Sequence, residues 1–190
     1  LILSGPGFAI DIANNLPTAL TLAGKSNELL ERVGHIMANN NFRPYYNSDL
    51  IGVQVGGALK NIIAIATGVA MGKKLGDGAV ASLVSRGINE IITFGVALGA
   101  NKDTFLGLSG LGDLVLTATN MKSRNTQLGF QIGSSNQFEN KVENLTEGIY
   151  TTKAVYNMAK ELNLSSIHIS ETTRRTANTY GGYSWEEKRE

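Results

Sequence analysis

The fold turns on DLIGVQVGGALKNIIAIATGVAM, residues 49–71. The stretch is apolar almost throughout, interrupted only by Gln54, Lys60 and Asn61, and it predicts one long helix capped by Ser48 or Asp49. A membrane span wants ~20 apolar residues with few polar interruptions. Those three residues break the run, so no membrane span is expected. Wound at about 100° per residue, Val53, Gly56, Gly57, Ala64 and Thr67 share the face of Lys60. Apart from Val53 these side chains are small, so the lysine lies along a groove that another backbone or a ligand can approach. Two adjacent glycines inside a helix cost roughly 1 kcal/mol each relative to alanine, a cost that a plain surface helix has no reason to carry. Two readings stay open. One is a lysine snorkelling over a tight helix–helix crossing; the other is a proton-transfer lysine in a partly closed site.

Outward from this helix the two flanks differ in character. Residues 1–47 alternate short strand-like and helical signals: Leu1–Leu3 extended, a Ser4-Gly5-Pro6-Gly7 turn, a short helix from Phe8 to Asn14, then a strand over Pro17–Ala23. Ser26 caps a helix carrying Leu29, Leu30, Val33 and Ile36, and Phe42–Tyr46 is extended again. The order β-α-β-α-β belongs to half of an α/β sheet domain. Beyond Ser48 helical periodicity takes over: Ala79–Gly99, a glycine-broken Thr104–Leu116, and helices from Ser123, Gly148 and Ser170. The expected fold is mainly α, with a boundary near residue 48 separating residues 1–48 from a helical domain at 49–190. The opening strand and turn read as cut from the interior of a longer protein.

Composition narrows the function. The 190 residues are 42% hydrophobic and carry 17 Lys and Arg against 16 Asp and Glu, too balanced to provide the field that holds nucleic acid. With 0 cysteines, disulfides, thiolate zinc sites and a cysteine nucleophile are excluded, and a reducing, cytoplasmic setting fits. His35 and His168 are too far apart in sequence to suggest a metal centre, and no metal is expected. No positively charged leader precedes an apolar run.

Four further features stand out. Gly107-Leu108-Ser109-Gly110-Leu111-Gly112-Asp113 is a turn-rich loop feeding Asp113 into an apolar segment. It has neither the Walker A pattern nor the dinucleotide fingerprint, and its plainer reading is an interhelical loop with Asp113 capping a helix. Ser123-Arg124-Asn125 places a guanidinium in a first helical turn, where free N–H groups favour phosphate; a solvated arginine is the plainer alternative. Arg86 and Glu90, four apart, read as an internal ion pair, and Glu147-Gly148 as a polar helix boundary. Together the lysine, the glycine loop with its aspartate and the arginine suit a small phosphorylated substrate on which a proton is moved.

At these residues the chain resembles the bacterial-type NAD(P)-dependent glycerol-3-phosphate dehydrogenases. The likeness is carried by Ser4-Gly5-Pro6-Gly7-Phe8-Ala9, by Gly52 to Asn61 with its Gly56-Gly57-Ala58-Leu59-Lys60-Asn61 core, by Gly110-Leu111-Gly112-Asp113-Leu114, by Ser123-Arg124-Asn125 and by Val142–Thr152. It implies an all-helical domain like the C-terminal domain of 6-phosphogluconate dehydrogenase, preceded by the β-α-β tail of a Rossmann-type cofactor domain. It implies reversible NADH- or NADPH-dependent reduction of dihydroxyacetone phosphate, a small three-carbon substrate, to sn-glycerol 3-phosphate for glycerophospholipid synthesis, in a homodimer. By resemblance Lys60 is the catalytic acid and base. Gly5, Asn61, Asp113, Ser123, Arg124 and Asn125 meet substrate, and Ala9, Arg124, Leu145 and Glu147 meet NAD or NADP. Gly7 departs from the family's Ser or Thr, removing a hydroxyl. The glycine loop that would cradle the pyrophosphate is not among residues 1–190, so this chain alone is expected to bind NAD(P)H poorly and to turn over almost nothing. Two other readings compete: a related reductase whose substrate lacks phosphate and would not need Arg124, and a non-catalytic helical module, which would not need Lys60, Asn61, Asp113 and Arg124 together.

Overall fold

The computed structural model describes residues 1–135 and 147–164. The first 47 residues fold as the alternation predicts: β1 (Ile2–Ser4), α1 (Ala9–Ala13), β2 (Thr18–Ala23), α2 (Asn27–Met37) and β3 (Phe42–Asn47). They form a sheet of order β1-β2-β3. β2 runs parallel to β3, with Thr18 opposite Phe42 and Ala23 opposite Asn47, and α2 makes the crossover. β1 pairs antiparallel with β2, Ile2 opposite Ala23. Ser26 caps α2 by accepting from the Leu29 N–H at 3.3 Å.

The helical part is built around α3 (Leu50–Gly72), to which α4 (Asp77–Ala97), α5 (Asp113–Ala118), α6 (Arg124–Ser135) and α7 (Glu147–Glu161) are all packed. Mainly helical architecture is therefore as expected, and Asp49 rather than Ser48 is the α3 cap, its carboxylate accepting from the Gly52 N–H at 2.8 Å. Its other oxygen accepts from the Asn101 N–H at 2.9 Å, so one side chain ties the start of α3 to the loop after α4. Burial alone would raise the Asp49 pKa; hydrogen bonds from Gly52, Thr104, Asn101 and Ile51 outweigh it and hold the carboxyl below its ordinary value.

The main core gathers Ile62, Ile63, Ile91, Phe94, Phe105 and Leu114. By length and composition α3 and α4 are long and apolar enough to cross a membrane, yet 61% of the apolar window of α3 is buried within this fold. The α3–α6 crossing is closer than any side chain would permit. A Cβ on Gly129 would collide with the Ile65 carbonyl, one on Gly68 with the Thr126 carbonyl, and one on Gly133 with the Val69 carbonyl. Backbone therefore meets backbone along this seam.

Thr104–Leu116, expected to be glycine-broken, resolves into a 3₁₀ turn (Lys102–Leu106), a π-helical turn (Leu108–Gly112) and α5. The expected internal Arg86–Glu90 pair is corrected: Arg86 lies on the solvent face of α4 and no such salt bridge occurs among the described residues. His35 is exposed in the last turn of α2. His168, Leu145 and the helix expected from Ser170 lie outside the described residues.

Candidate active site

Lys60 points from the middle of α3 at the first residue of α5. Its Nζ lies 2.5 Å from Asp113 Oδ2, with 22% of the lysine side chain and 5% of the aspartate side chain exposed. The small residues that share the lysine's face admit a close neighbour there. A Cβ on Gly56 would sit 2.7 Å from the Ser109 carbonyl oxygen, and one on Gly57 3.4 Å from Ser4 Oγ. Gly56 thus lets the π-helical turn close over the lysine face, whereas at Gly57 a methyl would meet Ser4 only at ordinary contact distance. Asp113 is consequently not the helix cap of its plainer reading: α5 has no side-chain cap, and the carboxylate turns to the lysine instead.

The β1 loop completes the cluster. The Gly5 N–H donates to the Asp113 carboxylate, from a backbone with φ of 144° that L side chains rarely adopt. Thr117 Oγ1, one turn along α5, lies 3.3 Å from Asp113 Oδ1. Thr117 had no role assigned from the sequence, although its i+4 spacing from Asp113 places it on the same face. Gly7 packs against β2, where a Cβ would lie 3.1 Å from Thr18 Cγ2 and 3.2 Å from Leu20 Cδ2. A serine there would require its neighbours to give by a few tenths of an ångström.

Burial pushes the Asp113 carboxyl up from its ordinary 3.8, further than the Lys60 ammonium, the Thr117 hydroxyl and the Gly5 amide pull it down. A raised folded-state pKa means that the stability contributed by the neutral form is complete below pH 3.8 and is lost as pH rises through the raised value. Melting curves of the wild type and Asp113→Asn, recorded from pH 3.5 upward (roughly the unperturbed range), should therefore diverge in one direction. The wild type compares best with the variant at the lowest pH and loses ground as pH rises. A difference that stays flat would deny the shift.

The other candidates form two neighbouring groups. Ser123 is buried and caps α6, its Oγ accepting from the Thr126 N–H at 3.3 Å. Arg124 is exposed at the head of that helix. Asn125 turns inward, and its Oδ1 accepts from the Gly148 N–H at 3.2 Å, fastening the start of α7. A Cβ on Gly148 would also lie 3.1 Å from the Asn61 carbonyl oxygen, so buried Asn61 and Asn125 meet around that glycine beside Lys60. Ala9 is exposed at the head of α1, and Glu147 opens α7. The loop before Ser123 reaches α1 directly: Lys122 Nζ lies 3.3 Å from Asp11 Oδ1 and 5.6 Å from the centre of the Phe8 ring. No group of three or more His, Cys, Asp or Glu positioned to hold a metal occurs among the described residues.

The arrangement can do one kind of chemistry readily. A cation seated on a buried carboxylate can hand a proton to an oxygen placed beside it and recover it, while the head of α6 offers free N–H groups and a guanidinium to an anion.

Known proteins share this framework. Residues 49–181 match the family model described as NAD-dependent glycerol-3-phosphate dehydrogenase C-terminus. The chain is 45% identical over 163 residues to glycerol-3-phosphate dehydrogenase [NAD(P)+] of Parvibaculum lavamentivorans, covering 84% of this chain and 49% of that protein. It is also 45% identical over 176 residues to the same-named protein of Francisella tularensis subsp. tularensis, covering 91% and 53%. The crystal structure of glycerol-3-phosphate dehydrogenase from Coxiella burnetii superposes with a TM-score of 0.85 at 36% identity, over 91% of this chain and 54% of that one. The chain thus spans about half the length of the curated relatives it matches. With its helical part matched from the α3 cap onward, the chain belongs to the NAD-dependent glycerol-3-phosphate dehydrogenase family, of which residues 49–181 form the C-terminal part.

Proposed function

We propose that the protein carrying this chain interconverts dihydroxyacetone phosphate and sn-glycerol 3-phosphate with NADH or NADPH, and that Lys60 is its general acid and base. The observation that carries this reading is the Lys60–Asp113 pair, a cation held on a buried carboxylate at 2.5 Å. When bound, the dinucleotide supplies a hydride. As negative charge grows on the substrate oxygen, the Lys60 ammonium neutralises it and delivers the proton, and in the reverse direction takes it back. Asp113 keeps the ammonium aimed, and its own orientation is fixed by the Gly5 N–H and Thr117 hydroxyl. Arg124 and the free N–H groups at the start of α6 hold the phosphate, with Ser123 and Asn125 shaping that helix head and Asn61 lining the wall beside Lys60.

The chain's residues fit a dinucleotide at one edge. The Lys122–Asp11 contact brings exposed Ala9 and exposed Arg124 to the same side of the molecule, and the family resemblance adds Leu145 and Glu147. We take residues 1–48 as the end of the cofactor domain and 49–190 as the substrate domain, with substrate between them. We also read the protein as a cytoplasmic homodimer without a membrane span, α3 serving as a core helix. The resemblance supports a dimer, as do exposed Leu75 in the turn before α4 and exposed Val96 near the end of α4.

Oxidation of NADH or NADPH by the full-length protein on addition of dihydroxyacetone phosphate tests the reading. Turnover is expected, together with a rise in KM of at least ~10-fold in Arg124→Ala. No turnover with either cofactor would reject it. An unchanged KM in the variant would instead favour a substrate without phosphate.

A further inference from the structure

The two ends of α5 are held very differently, and only one of them carries the acid–base pair. Asp113, its first residue, meets Lys60. At its other end the last two carbonyls, Thr117 O and Ala118 O, belong to the group that a helix leaves without intrahelical partners. Each is taken by a threonine hydroxyl from a different neighbour. Thr67 Oγ1 donates to Ala118 O at 2.7 Å, and Thr126 Oγ1 donates to Thr117 O at 2.7 Å. Both threonines are 0% exposed.

The placement of these two donors bears on the chemistry. Thr67 lies two turns after Lys60 on the same face of α3, so one stripe of α3 grips α5 at both ends: Lys60 at Asp113 and Thr67 at Ala118. Thr126 follows directly on Ser123-Arg124-Asn125, and its N–H is the one that Ser123 caps. It therefore ties the proposed phosphate anchor to the helix that carries Asp113. α5 runs on directly from the π-helical turn Leu108–Gly112, so the position of its far end is set by what holds Thr117 and Ala118.

We propose that Thr67 and Thr126 are positioning residues for the reaction, acting through α5. Thr67 holds the Asp113 carboxylate in register with Lys60, and Thr126 fixes the span between that pair and the anion-binding head of α6. The inference rests on the dehydrogenase reading above. Neither threonine touches substrate; each acts by keeping α5 from tilting, and a misplacement on the order of 1 Å can cost ~10²-fold in rate.

The test is steady-state kinetics against pH on the full-length protein, with Thr67→Val, Thr67→Ser, Thr126→Val and Thr126→Ser, alongside thermal melting. Valine keeps the shape and removes the donor, whereas serine keeps the donor. Thr67→Val should lower kcat by roughly 10-fold and shift its pH profile. Thr126→Val should lower kcat and raise KM for dihydroxyacetone phosphate together, by several-fold each. Both serine variants should stay within about 2-fold of wild type. In an Asp113→Asn background Thr67→Val should cost little more, because the contact it aligns is already gone.

Valine variants that melt cooperatively and keep kcat, KM and pH profile would overturn the proposal. So would serine variants that fall as far as the valines, or full additivity with Asp113→Asn. If both the valine forms and the corresponding alanine forms fail to fold, the hydroxyls serve stability alone and the proposal falls. Inactive wild type would instead sink the dehydrogenase reading itself, before any variant is compared.

Discussion

On the proposed dehydrogenase reading, Lys60→Ala in the full-length protein is expected to lower kcat for dihydroxyacetone phosphate reduction by at least ~10²-fold, with little change in NADH affinity. The lysine is the cation on the Asp113 carboxylate, and without it the growing charge on the substrate oxygen has no proton donor. The fold should survive, since the desolvated carboxyl left behind can take up a proton rather than remain as a buried charge. Lys60→Arg sharpens the test. A guanidinium keeps the charge but holds its proton far too tightly to act as an acid. It should be nearly as slow as the alanine form. Absorbance at the nicotinamide band follows turnover in all three proteins. Turnover within ten-fold of wild type in both variants, on the order of 1.4 kcal/mol in barrier, would return Lys60 to the role of a packing lysine.

Gly129→Ala is the change expected to cost most stability. Its new methyl would be driven into the Ile65 carbonyl, a backbone atom in the centre of a buried helix that cannot swing aside. Overpacking of this sort costs about 3 kcal/mol, and at ~2–4 °C per kcal/mol the melting temperature should fall by roughly 6–12 °C. Gly78→Ala provides the contrast, because nothing lies within 4 Å of its added methyl and it sits in the first turn of α4. There the same substitution should be neutral or stabilising by up to ~1 kcal/mol. Melting curves of the two variants decide the matter. Equal melting temperatures would mean that the α3–α6 seam opens without cost.

Much of this architecture was legible in the sequence because its signals are local. The alternation in residues 1–47, the Ser26 cap and the 49–71 run each depend on a few adjacent residues, and each element falls within one or two residues of expectation. The face shared by Lys60 and the two glycines followed from helical geometry alone. What met that face did not. Asp113 lies 53 residues away, and its local context favoured a helix cap; only the tertiary fold turns the carboxylate to the lysine. Thr117 escaped notice for the same reason, since an i+4 hydroxyl has meaning only once Asp113 has one. Arg86–Glu90 failed in the opposite way. The spacing permits a pair, but Arg86 faces solvent, where an ion pair gains too little to hold two long side chains together. The glycines of α6 gave no warning in sequence of the seam they form.

That seam has a consequence for how the protein is made. As the chain is synthesised, α3 emerges as an apolar helix long enough to span a bilayer, with a bare glycine face awaiting a partner. The partner, α6, follows about fifty residues later, which at ~5–20 residues per second leaves several seconds of waiting. During that interval α4 and α5 can shield only part of the surface, and the helix is open to chaperones and to membrane-targeting factors that bind nascent apolar segments. Productive synthesis is therefore expected to depend on how soon α6 leaves the ribosome after α3.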